Sequence, residues 1–150
     1  MAVDLVLIRQ AVANRIEETT NLRTYPFPVQ SDVYPRVMVM NGSPLVATAH
    51  GTFRSPLCDI NLIVEVATKG MDPVPAQEDL ARYVSSGTGF ETTSVMDALE
   101  DLVPGEQTPT LDGLVENINV ESVSVDDGEP IDGGIVFTAL FRVTVRARRN

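Results

Sequence analysis

The stretch IVFTALFRVTVRAR, residues 135–148, decides the reading of the fold. Ile135, Phe137, Ala139, Phe141, Val143, Val145 and Ala147 take every second position, with Thr138, Arg142, Thr144, Arg146 and Arg148 between them. Successive side chains of a strand point to opposite faces, so this pattern specifies one apolar and one polar face. β-Branched and aromatic residues fill the run and no proline interrupts it. Val136 and Leu140 put apolar side chains on the polar face near the start, which predicts that this end is covered on both sides. The other elements are expected to pack on this strand.

Working outward, residues 115–125 predict a long strand. Ile118 and Val120 share one parity, Val123 and Val125 the other, so a β-bulge is expected near Ser122, where one extra residue flips the facing. Residues 126–134, rich in Asp and Gly, read as the hairpin loop into the last strand. Residues 57–68 form another strand, with Ile60, Leu62, Val64 and Val66 on one face. Asp59, Asn61 and Glu65 lie on the other, where Ile63 is the exception. Residues 36–40 read as a short strand followed by the turn signal Asn41-Gly42. Residues 43–56, with Pro44, Gly51 and Pro56, predict a projecting loop or β-arm. Residues 22–33, with Pro26 and Pro28, read as connector.

Helical periodicity appears in three places. Over residues 3–20, Leu5, Ile8, Val12 and Ile16 make one apolar stripe, with Arg9, Asn14, Arg15, Glu17 and Glu18 largely off it. Thr19, Thr20 and Asn21 weaken its end. Asp72 caps a helix that tolerates Pro73 in its first turn and runs to about Val84. Leu80, Val84 and either Ala76 or Ala81 form its buried stripe, and Gly87 suits its C-terminal cap. Ser94, with Asp97 three residues on, starts a short helix whose Val95, Ala98, Leu99 and Leu102 face inward. The sum is a single α+β domain over residues 1–150. It is expected to be a four-stranded, mostly antiparallel sheet with helices packed on one face and a projecting arm.

Composition narrows function. The chain has 11 Lys and Arg against 21 Asp and Glu, a formal charge of −10. That argues against binding nucleic acid by phosphate neutralisation, which needs clustered cations. It suits a solvated surface, or one that DNA must pass without sticking. Trp is absent and aromatics are few, so Val, Leu, Ile and Ala must build the core. The single cysteine, Cys58, excludes an intrachain disulfide and Cys-pair zinc sites. With no signal-peptide pattern and no apolar run of membrane-spanning length, an intracellular product is expected.

Few residues suggest chemistry. His50, the only histidine, has neither a Gly-x-Ser-x-Gly elbow nor a Cys–His signature around it, and reads as an ordinary arm residue. Asp126, Asp127, Glu129 and Asp132 cluster as carboxylates do around calcium, but without EF-hand spacing or its distal Glu, so a solvated hairpin tip is the simpler reading. Gly87-Thr88-Gly89 lacks the Lys-Ser/Thr ending of a phosphate loop. Asn41-Gly42-Ser43 matches a glycosylation acceptor with no secretory signal beside it. Arg142, Arg146, Arg148 and Arg149 are the one basic cluster. They read either as edge protection with ion pairing to acidic neighbours or as a charged subunit contact.

The order of short motifs carries a resemblance. The helix spanning Ile8 and Ile16 leads through Tyr25-Pro26 into the strand Pro35-Arg36-Val37-Met38-Val39. Ala76-Gln77-Glu78-Asp79-Leu80-Ala81-Arg82-Tyr83-Val84, Ser94-Val95-Met96-Asp97-Ala98-Leu99 and Thr110-Leu111-Asp112-Gly113 follow. This order resembles the tail terminator and head–tail joining proteins of long-tailed bacteriophages, of the actinobacteriophage type.

The resemblance implies a virion protein of the tail or neck, assembled in the host cytoplasm. Its copies would form a ring, commonly a hexamer, that caps the tail tube, ends its polymerisation and meets the head connector. DNA would pass through the lumen without specific binding. Neither catalysis, cofactor, metal nor membrane is implied; the partners are further copies, the tail tube protein and the connector protein. His50, Phe53 and Arg54 of the arm, with Arg142, Arg146 and Arg148, are candidates for the subunit or tube interface. Glu116, Glu121, Asp126 and Asp127 are candidate lumen-facing acids. The neighbouring head-completion or connector protein is an alternative, as is a cation- or ligand-binding module using the 126–132 loop.

Overall fold

The computed structural model describes residues 4–30, 33–48, 57–84, 94–100, 111, 114–131 and 133–148. In chain order come α1 (Leu5–Thr20), β1 (Arg23–Tyr25), β2 (Arg36–Thr48), β3 (Leu57–Gly70), α2 (Pro73–Val84), α3 (Val95–Glu100), β4 (Asn117–Ile131) and β5 (Gly134–Arg148). The strands form one sheet in the order β1-β2-β3-β5-β4. β1 runs parallel to β2, and the other neighbours pair antiparallel. The expected four-stranded α+β arrangement is therefore corrected to a strand-dominated mixed sheet, of which the described residues form five strands. Two causes produce the difference. β1 is only three residues long, too short to show an alternation, and β2 and β4 run well past the turn signals that seemed to end them.

β5 lies inside the sheet and organises it. It pairs with β3 without a register shift from Leu57↔Arg148 to Gly70↔Ile135. Its Phe137, Ala139, Phe141, Val143, Val145 and Ala147 are buried, alongside Ile60, Leu62, Val64 and Val66 of β3 and Val37 and Val39 of β2. The core joins these to Ile8, Val12 and Ile16 of α1, Ala76 and Leu80 of α2, and Val95, Ala98 and Leu99 of α3. Apart from Phe137 and Phe141 it is built from small and branched aliphatics, with Cys58 a buried free thiol among them. The start of β5 is covered on both sides, as Val136 and Leu140 foretold. Val136 is buried opposite the core, paired with Lys69, whose ammonium lies 5.7 Å from the ring of Tyr34.

Local chemistry sets the helix ends. The Asp4 carboxylate accepts the Leu7 N–H at 3.0 Å, satisfying a donor the first turn leaves open. The helix stops where the threonines were expected to weaken it. Thr20 Oγ1 donates to Ile16 O at 2.6 Å, and Asn21, at φ 58, closes the end in the left-handed region that Asn tolerates. Asp72 accepts the Val74 N–H at 3.1 Å ahead of α2, and Thr68 Oγ1 donates to Ala76 O to tie that helix to β3. Ala76 rather than Ala81 completes the buried stripe, with Val84 half-buried. Gly87, Leu102 and the Asp97 side chain lie outside the described residues.

One expectation about α1 fails. Arg9 is buried at 4% exposure. Its Nε donates to Pro26 O at 2.8 Å and its Nη2 to Val39 O at 2.6 Å, while Nη1 reaches Asn41 Oδ1. The Phe27 ring lies 4.4 Å from the guanidinium. Burial lowers the Arg9 pKa from its ordinary value, the mark of a desolvated charge held by its hydrogen bonds. α1, the 22–30 segment and β2 are thus pinned together by one side chain.

Candidate functional site

Asn41-Gly42 makes no hairpin turn. β2 continues through it to Thr48, but its register jumps between Asn41↔Leu62 and Val46↔Ile60. Four residues, 42–45, stand against the single Asn61, which is a large bulge. Asn61 Nδ2 donates to Pro44 O at 2.8 Å and holds it. Gly42 is required there: a Cβ would lie 2.7 Å from Asn61 O. Gly42→Ala is expected to cost about 1–3 kcal/mol in urea denaturation. Unchanged stability would show that β2 is not held against Asn61. The first part of the expected arm, residues 43–48, is therefore strand; His50, Phe53 and Arg54 lie outside the described residues.

β4 carries the bulge expected near Ser122. Val120 pairs with Val143 and Ser122 with Arg142, leaving Glu121 as the extra residue. A second irregularity separates Asp126↔Thr138 from Glu129↔Val136, with Gly128 at φ 49 inside it. The expected acidic loop at 126–134 is corrected accordingly. Residues 126–131 belong to β4, and the chain reverses only between Ile131 and Gly134. Among the described residues no group of three or more His, Cys, Asp or Glu is placed to hold a metal ion.

The face of the sheet opposite the core is where the remaining candidates meet. Arg142, Arg146 and Arg148 project from it, as expected of one strand face. They do not mark an edge, however, because β5 is paired on both sides; the edges are β1 and β4, and the reading as edge protection is corrected. Arg146 bonds both carboxylate oxygens of Asp59, at 2.9 and 3.3 Å. That hydrogen bonding, with the carboxylate's charge, raises the Arg146 pKa. Arg148 Nε donates to Glu116 Oε1 at 2.8 Å. Thr144 Oγ1 lies 2.6 Å from Glu121 Oε1 and 3.2 Å from Asn61 Oδ1, bridging β4 to β3. The two arginine–carboxylate pairs are exposed, each worth roughly 0.2–1 kcal/mol and weakened by salt.

Two of the four candidate acids, Glu116 and Glu121, are thus engaged with β5. Asp126 sits farther along β4 and is exposed, and Asp127 falls in the second irregularity. Glu116 just before β4, and Glu121 and Asp126 along it, are spread over the strand rather than gathered at one point; the Asp127 side chain lies outside the described residues.

Between the two bulges the open face is hollow. Gly42 and Ser43 form one wall and Glu121 the other, with Asn61, Ile63 and Arg142 among the lining of a cavity of about 320 Å³. The parity flip in 118–125 announced the Glu121 wall. Nothing in the sequence announced the Gly42 wall, where a turn signal had been read. Among the described residues no helix is long and apolar enough to cross a membrane. No protein-family model matches the chain, and no curated protein matches it.

Proposed function

We propose that the chain is a structural subunit of a phage tail end: a ring-forming tail terminator that caps the tube, stops its growth and meets the head connector. The observation that carries this reading is the order of motifs along the sequence. Ile8 to Ile16, Tyr25-Pro26, residues 35–39, residues 76–84, residues 94–99 and residues 110–113 come in an order that resembles the family's, and the first five lie on or next to α1, β1, β2, α2 and α3 in turn.

Physical features support it. A ring needs two different patches on each subunit, because only a heterologous contact closes into one. The sheet has unlike sides: the fifteen-residue β4 at one edge, and the three-residue β1 lying against a longer β2 at the other. Its open face is charged and furnished with Arg142, Arg146 and Arg148. A net charge of −10 suits a wall past which phosphates slide, since attraction would hold them. The subunit works by contact, with no reacting group.

Electron microscopy of the purified protein, alone and mixed with tail tubes, tests this. Rings, or rings formed only on tube ends, are the expected result, and phage lacking the protein should make tails of uncontrolled length. Normal tails in its absence reject the proposal. Recovery of the protein in purified heads rather than tails selects the connector alternative.

A further inference from the structure

β5 presents three arginines on the open face, and the register provides acids for only two. Arg146 meets Asp59 and Arg148 meets Glu116. Arg142 stands opposite Ile63 on β3 and Ser122 on β4, so no carboxylate occupies a facing position. Glu121 lines the same hollow, but accepts a hydrogen bond from Thr144. Among the described residues no ion pair or hydrogen bond engages the Arg142 side chain. In a chain with 21 acids and 11 bases, this is not a shortage of acids. It follows from where the two bulges place the strands.

We propose that the hollow is a docking site for a carboxylate side chain of a second copy of this chain, held by Arg142. The inference rests on the ring reading above and names the contact it needs. Charge complementarity selects the occupant. The complementarity is local: Arg142 of one copy faces exposed acids of the next, since Glu18, Glu78, Asp126 and Glu129 are exposed with no ion pair among the described residues. A guanidinium binds a carboxylate through two parallel N–H donors. The walls at Gly42-Ser43 and Glu121 admit a side chain rather than a flat surface, and Glu121 repels an ion of higher charge such as phosphate. Of the exposed acids, Glu18 lies on α1 and Glu78 on α2, which pack on the core face of the sheet, so acceptor hollow and donor acid fall on different patches, as a closed ring demands.

Sedimentation velocity and native mass spectrometry of the full chain test the contact, comparing wild type with R142A, R142E and R142K at low and high salt. The gap in association between wild type and R142A should narrow as salt rises, because screening weakens the contact that only wild type makes. R142A and R142E should weaken association about tenfold or more, with R142K between them and wild type. Circular dichroism should be unchanged, because Arg142 is exposed and its loss leaves the subunit fold intact.

R142E protein that assembles at wild-type concentrations overturns the docking site and leaves the ring standing. Wild-type protein that stays monomeric, both alone and on tube ends, overturns both. Acetate that binds wild type but not R142E without dissociating the oligomer identifies a site for free carboxylates, and overturns the subunit contact.

Discussion

Arg9→Met protein should be about 3–5 kcal/mol less stable than the parent in urea denaturation. Methionine fills much of the same space, so the effect isolates hydrogen bonding. A buried ion pair replaced by apolar residues on both sides is often tolerated, because no orphan is left. Here the acceptors are the carbonyls of Pro26 and Val39 and the Asn41 side chain, and none leaves with the guanidinium. The Val39 carbonyl is buried and the other two acceptors part-buried; a buried acceptor left empty costs about 1–3 kcal/mol, and the part-buried ones add less. Arg9→Lys should recover only part, since one ammonium lacks the planar fork that reaches three separate oxygens. A loss under about 1 kcal/mol for Arg9→Met would mean that those carbonyls find other partners, and the pin joining α1 to β2 would be discarded.

Phe141→Ala should cost a similar amount, about 3–5 kcal/mol, and lower the thermal midpoint accordingly. Phe141 is fully buried, set between Val64 of β3 and Val123 of β4. The sheet backbone beneath it is hydrogen-bonded on both sides and cannot move in to fill the space. Calorimetry on the variant checks this. A loss under about 2 kcal/mol would show that the helices collapse onto the vacated volume instead.

How much of this was legible in the chain depends on whether the signal is local. β5 and β3 alternate over a dozen residues each, so neither composition nor context was needed to find them. The bulge at Glu121 was visible because a parity flip between Val120 and Val123 has one simple cause. β1 was not visible: Arg23–Tyr25 is a strand only because β2 lies beside it. Asn41-Gly42 carries the chemistry of a turn, but Gly42 serves a close approach to Asn61, and a dipeptide does not distinguish the two uses. The 126–134 stretch was read as a loop from its Asp and Gly content, whereas β5 supplies partners that keep β4 paired to Ile131. Arg9 was read as lying off the apolar stripe of α1. Its burial depends on three acceptors from segments 17 to 32 residues away.

For the candidate site the division is the same. Alternation placed Arg142, Arg146 and Arg148 on one face, and the charge balance predicted acidic partners. Which acids these are, and that Arg142 has none among the described residues, follows from register across three strands.

The amino-acid sequence by itself determined the two long strands, the apolar face they share, the C-terminal end of α1, the start of α2, and the acidic balance of the chain. These depend on side-chain periodicity and on capping within a few residues. Tertiary structure alone decided that β5 is internal rather than an edge, that a parallel β1 completes the sheet, and that two bulges enclose a hollow around Arg142. Each of these is a relation between segments far apart in the chain, and it exists only once the backbone hydrogen bonds have chosen their partners.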